Sequence, residues 1–148
     1  MMSSLDQAAS IELAKQIGAK ADRSFDNAYR AVLAIENATY VQGFLVTPMS
    51  LEPIEHGWIE VDDRILDPTL PHLPAPDALQ YFPAQRLSLK KLKAAVEEAQ
   101  EDYPEDESLP VYEAAPYAYY GNVMLGGQDY LDAYEAAKSH CNSAADLN

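Results

Sequence analysis

An α+β fold, with a small antiparallel sheet and helices around it, is what the amino-acid sequence predicts. Three observations lead there. Apolar residues recur at helical spacing in the first forty residues, again after Ser88 and again near the C-terminus. Between Thr39 and Asp67 the texture changes to β-branched and aromatic residues. Within that stretch Asp62-Asp63 reads as a two-residue turn between two strands.

Taken in order, Ser4-Leu5-Asp6-Gln7 has the form of a capping box, with Gln three residues after Ser. Ile11, Ala14, Ile17 and Ala21 follow as the stripe of a first helix, which Gly18 weakens near its end. A second helix is predicted from Ser24. Phe25, Ala28, Tyr29, Val32 and Ile35 form its apolar face, and Asn37 stops it. Strands are predicted over 39–47, 54–61 and 64–67. The five prolines Pro68, Pro71, Pro74, Pro76 and Pro83 mark an extended surface loop from 68 to 83. Ser88 caps a third helix with Leu89, Leu92, Val96 and Ala99 inward. An acidic turn covers 102–108, and Leu109-Pro110-Val111-Tyr112 reads as a short strand. Gly126-Gly127 precedes a last helix over about 128–140, with Tyr130, Tyr134 and Ala137 inward, and the tail from Asn142 is expected to fray.

The length, 148 residues, predicts a single domain spanning 1–148 with a core of its own. No apolar run approaches the roughly 20 residues that span a bilayer. The start, Met1-Met2-Ser3-Ser4-Leu5-Asp6, lacks the basic and apolar regions of a secretory signal. With one cysteine, Cys141, an intramolecular disulfide is impossible, so a reducing, cytoplasmic setting is expected. Cys141 and the three histidines show no metal-ligand spacing, and no cofactor is implied. The net charge of −14 disfavours direct nucleic-acid or membrane binding, which needs Lys and Arg against phosphates. Solubility is the ordinary reading of such a charge; an acidic decoy that imitates DNA is the other.

The hairpin carries the chemistry. With Asp62-Asp63 as its turn, Val61 faces Arg64 and Trp58 faces Asp67. His56 then shares the face of Trp58, which makes His56 and Asp67 diagonal cross-strand neighbours. Diagonal pairs lie about 7–8 Å apart at Cα, within reach of an imidazole and a carboxylate. A slip of one residue would put them on opposite faces. Ser24 falls at the start of the second helix, where backbone N–H groups and the positive end of the dipole gather. A hydroxyl there acts as a nucleophile when a base such as His56 takes its proton.

These residues resemble the transglutaminase-like and papain-like superfamily, including its small bacterial and phage members. There a Cys at a helix start is followed by a His on one strand and an Asp on the next, as His-Ala-Trp and Asp-Pro-Thr. This chain reads His56-Gly57-Trp58 and Asp67-Pro68-Thr69. The family's Cys-Tyr-x-Asn-Ala helix start and Tyr-Val-Glu-Gly strand read here Ser24-Phe25-Asp26-Asn27-Ala28 and Tyr40-Val41-Gln42-Gly43. The resemblance spans roughly residues 22–70 and implies a sheet packed on the nucleophile-bearing helix. It also implies an acyl-transfer or amide-hydrolysing site with Ser24, His56 and Asp67 as the triad, acting on a protein or peptide. Gln16 stands where papain-like enzymes place an oxyanion donor, and Trp58 is expected to shield the pair or touch substrate.

Two positions depart from the family. Ser24 replaces the cysteine and Gln42 the strand glutamate. The serine fits three histories: a protein without catalysis, serine chemistry, or a deliberate Cys-to-Ser replacement. Cys141 lies after the whole motif and is a poor substitute. The alternative function is a catalytically silent acidic protein that binds a protein partner. Outside the triad, Ser24 would be a helix N-cap and Asp67 would open the Pro68 turn. Asn27 is expected to bond neighbouring backbone, and His72 and His140 to lie at the surface. Tyr112, Tyr117, Tyr119 and Tyr120 would line a cleft or finish the core, and the acidic run from Glu97 to Glu107 would be a solvated face.

Overall fold

The computed structural model describes residues 4–111, 117–120 and 123–141, without the side chains of 117–120 and 123–126. Among these residues the fold is α+β, with four helices and a five-stranded mixed sheet that is mostly antiparallel. The sheet order is β1-β4-β3-β2-β5, where β1 is Ser4–Leu5, β2 Thr39–Val46, β3 Ile54–Val61, β4 Arg64–Leu66 and β5 Gln80–Leu87. A separate two-stranded sheet joins β6 (Tyr117–Tyr120) to β7 (Val123–Gly126). The helices are α1 (Gln7–Ile17), α2 (Ser24–Ala34), α3 (Leu89–Asp102) and α4 (Gln128–Lys138). None is long and apolar enough to cross a membrane.

The chain divides into two compact units. The first comprises Met1–Val41, Gly57–Leu73 and Arg86–Val111; the second comprises Gln42–His56, Pro74–Gln85 and Tyr112–Asn148. The core of the first unit gathers Leu13 and Ile17 of α1, Ala28, Ala31 and Val32 of α2, Tyr40, Ile59, Val61 and Leu66 of the sheet, and Leu92 and Val96 of α3. In the second, Phe44 and Val46 pack with Tyr130, Ala133 and Ala137 of α4. Phe44 meets Tyr130 and Tyr134 edge-on, at ring-centroid distances of 5.8 and 5.5 Å.

The capping box at Ser4 does not form. Ser4 and Leu5 instead run parallel to Arg64 and Ile65, and Asp6 caps α1, its carboxylate accepting from Ala9 N at 2.9 Å. A residue committed to a strand cannot also hold the N-cap two positions later. That parallel pairing also turns the expected antiparallel sheet into a mixed one. Gly18 is the C-cap of α1, in the left-handed region at φ 64°. The Ala9 N–H first, then the Arg64 guanidinium at 2.8 Å, hold the Asp6 carboxyl below its ordinary value. A lowered folded-state value means that this stabilisation exists above the ordinary carboxylate pKa and is lost as pH falls through the folded one. Urea midpoints followed from about pH 5 downward should therefore fall less steeply in Asp6→Ala than in the parent.

The hairpin of β3 and β4 forms in the predicted register: Val61 opposes Arg64, Glu60 opposes Ile65 and Ile59 opposes Leu66. Asp62 and Asp63 both have positive φ, 50° and 62°, the requirement of a type I′ turn. The loop predicted over 68–83 is shorter than expected. Two 3-10 turns, Leu70–His72 and Pro76–Ala78, lead directly into β5. β5 contains Pro83, which an edge strand tolerates despite its missing N–H. Ser88 caps α3 as predicted, accepting from Lys91 N at 3.3 Å. Residues 109–111 are not a strand; Tyr112, the tail from Asn142 and the tyrosine side chains at 117, 119 and 120 lie outside the described residues.

Candidate functional site

Ser24 is the first residue of α2, and Arg23 occupies the N-cap position without a side-chain capping bond. The Ser24 hydroxyl therefore does not close the helix end, the ordinary task of a serine there. Its Oγ instead accepts from the Gly57 backbone N–H of β3, at 3.2 Å. That amide is the peptide bond joining His56 to Gly57. The half-buried hydroxyl is thus tied to the strand at the residue that follows the histidine.

Gly57 makes this approach feasible. A Cβ there would stand 2.9 Å from Phe25 Cδ1, 3.3 Å from Phe25 Cα and 3.4 Å from the Ser24 carbonyl oxygen. Gly57→Ala must push the Phe25 ring aside, and should cost about 1 kcal/mol, measured by urea unfolding.

Asp67 is fully buried and follows β4. It directly follows Leu66, which pairs with Ile59 across the hairpin. Its backbone N–H donates to Ser10 Oγ at 2.9 Å, and Ser10 in turn donates to the Asp6 carbonyl at 2.6 Å. One carboxylate oxygen, Oδ1, accepts from Thr69 N at 2.9 Å. This is the local turn that an Asp before proline forms, and it fixes the carboxylate's rotation. Thr69 is held as well: its hydroxyl accepts from Asn27 Nδ2 at 2.9 Å. Asn27, fully buried on α2, also donates to the Lys20 carbonyl at 2.8 Å and accepts from Lys20 N at 3.1 Å. Asn27 does bond neighbouring backbone, as expected, but it also reaches forty-two residues along the chain.

His56 is 3% exposed on β3. Its ring lies 6.3 Å from that of Tyr81, tilted by 53°. Trp58 is fully buried, which suits a shield better than a substrate contact. Gln16 is exposed on α1, whose buried face is Ser10, Leu13, Ala14 and Ile17. Gln42 is fully buried and donates to Tyr130 Oη at 2.6 Å. Burial, more than any charge, pushes the Tyr130 phenol far above its ordinary range.

Cys141 is half-buried after α4, its Sγ 3.5 Å from the Ala137 carbonyl oxygen. Burial raises its thiol pKa, the opposite of what a thiolate nucleophile needs. His72 and His140 are exposed, as expected, and so are the carboxylate-bearing residues from Glu97 to Glu107. Among the described residues no group of three or more His, Cys, Asp or Glu is arranged to hold a metal ion.

The sequence signals for Ser24 and Asp67 were the motif and the turn. Ser10 and the Asn27–Thr69 link carried no such signal, because both are contacts between segments distant along the chain. Comparison with family models, with curated proteins and with solved structures finds no match for this chain.

Proposed function

We propose that this chain is a papain/transglutaminase-like acyl-transfer or amide-hydrolysing protein, with position 24 as nucleophile, His56 as base and Asp67 as the orienting acid. The observation that carries the reading is the Ser24 hydroxyl. It sits at the first position of a helix, leaves that helix uncapped, and is taken up by the strand amide adjoining His56. The buried, rotationally fixed carboxylate of Asp67 and the hairpin register support it further.

In the reaction, Oγ (or Sγ of a cysteine at this position) bonds to the carbonyl carbon of an amide or thioester as His56 takes its proton. The oxyanion meets the Ser24 backbone N–H and the positive end of α2. The C–N or C–S bond breaks, and the leaving amine or thiol takes the proton from His56. Water or an amine then bonds to the acyl carbon as His56 takes its proton, the bond from that carbon to Oγ (or Sγ) breaks, and position 24 recovers the proton from His56, giving hydrolysis, deamidation or transfer. Asp67 holds His56 in the orientation that this exchange needs.

The test is to place cysteine at position 24. Ser24→Cys with Cys141→Ser, incubated with a thiol-directed acyl probe, should acquire one probe mass that peptide mapping assigns to position 24. A Ser24→Ala, Cys141→Ser control should acquire none. A folded protein that stays unlabelled would favour the silent, partner-binding alternative.

A further inference from the structure

We infer that Asn27 is a positioning residue for the Asp67 carboxylate, acting through Thr69; this rests on the reading of Asp67 as the orienting acid. Three facts carry it. Asn27 is fully buried, and its side-chain amide spends one N–H on the Thr69 hydroxyl rather than on local backbone alone. Thr69 is itself buried, at 3% exposed, and its N–H holds Oδ1 of Asp67 at 2.9 Å. The other two bonds of Asn27 go to the N–H and carbonyl of Lys20, in the segment between α1 and α2.

The result is a chain of bonds from α2 to the acid. Asn27 stands three residues, or nearly one helical turn, after Ser24. One short helix segment thus bears the nucleophile position and fixes the carboxylate that serves its base. A helix is stiff over one turn, so movement of the nucleophile carries the clamp on the acid with it. Ser10 secures the same residue from α1, on the backbone N–H rather than the carboxylate. Thr69 is thus one hold on the rotation of the carboxylate, and Asn27 one hold on the place of Thr69.

The substitution Thr69→Val removes the hydroxyl at nearly constant volume and keeps the backbone N–H that bonds Asp67. Thr69→Ser restores the hydroxyl. Asn27→Asp keeps the acceptor for Lys20 N and removes both donors. Each is made in the Ser24→Cys, Cys141→Ser protein, checked for folding by circular dichroism, and assayed with the acyl probe over a range of concentrations. The expected result is a maximal labelling rate lowered at least about tenfold in Thr69→Val and Asn27→Asp. Half-saturating probe concentration should stay unchanged, and Thr69→Ser should recover most of the loss. A structural role alone would change stability without that split and without the recovery. Folded Thr69→Val that labels at the parent's rate overturns the inference and leaves the triad reading standing. A parent that does not label at all removes the reading, and the inference with it. If Asn27→Asp does not fold, the Thr69 pair decides the question alone.

Discussion

His56→Ala in the Ser24→Cys, Cys141→Ser protein should slow labelling by an acyl probe at least about a hundredfold, the low end of what a positioned general base contributes. Asp67→Asn should give a smaller loss, because the amide can still accept from Thr69 N while losing the charge that orients the imidazole. The order of effects is the informative part. If His56 only packs against Tyr81, removing it would change stability and leave the labelling rate of the folded fraction where it was. Labelling rates normalised to the folded fraction, read by circular dichroism on the same samples, separate the two cases. The Cys141→Ser protein that keeps Ser24 should remain unlabelled throughout, since a thiol-directed probe does not report a hydroxyl.

Gly43→Ala should be among the most destabilising single substitutions in the chain, costing about 3 kcal/mol or preventing folding. A Cβ at Gly43 would lie 2.1 Å from the Phe82 carbonyl oxygen, 2.9 Å from Ala84 N and 2.9 Å from Pro83 Cα. All three are backbone atoms of β5, so no side chain can swing away. Glycine in a strand commonly marks such a close backbone approach. The contrast with Gly57→Ala is direct. There the one contact under 3 Å is Cδ1 of the Phe25 ring, a side-chain atom that can shift, and the cost is smaller. Urea unfolding of both variants beside the parent checks the difference. Equal destabilisation would contradict the packing at Gly43.

Local signals in the sequence were strong where one residue type has one structural use. Asp62-Asp63 between two apolar strands marked the hairpin, and its register, Val61 to Arg64 and Ile59 to Leu66, is the expected one. Gly18, read only as weakening a first helix that ran on to Ala21, is its C-cap with positive φ, and the second helix ends at Ala34, three residues before the expected stop at Asn37. Position 24 was legible as a helix start, yet nothing local showed that its hydroxyl would bond a strand instead of its own helix. The misreadings share a cause. Ser4 matched a capping pattern, but pairing with β4 took it into the sheet. Residues 80–83 were read as the end of a loop marked by five prolines; they begin β5, an edge strand, where Pro83 is tolerated. Asn27 and Ser10 were invisible as supports of Asp67, since their bonds span forty-two and fifty-seven residues. Periodicity reports what a residue does within its own element and is silent about partners so far away in sequence.

The most direct measurement is a crystal structure of the Ser24→Cys, Cys141→Ser protein with the acyl probe attached at position 24. Nδ1 of His56 is expected within about 3 Å of an Asp67 carboxylate oxygen, with Nε2 turned toward the probe-bearing sulfur. An imidazole and carboxylate separated by more than one bridging water, or facing opposite sides of the hairpin, would contradict it.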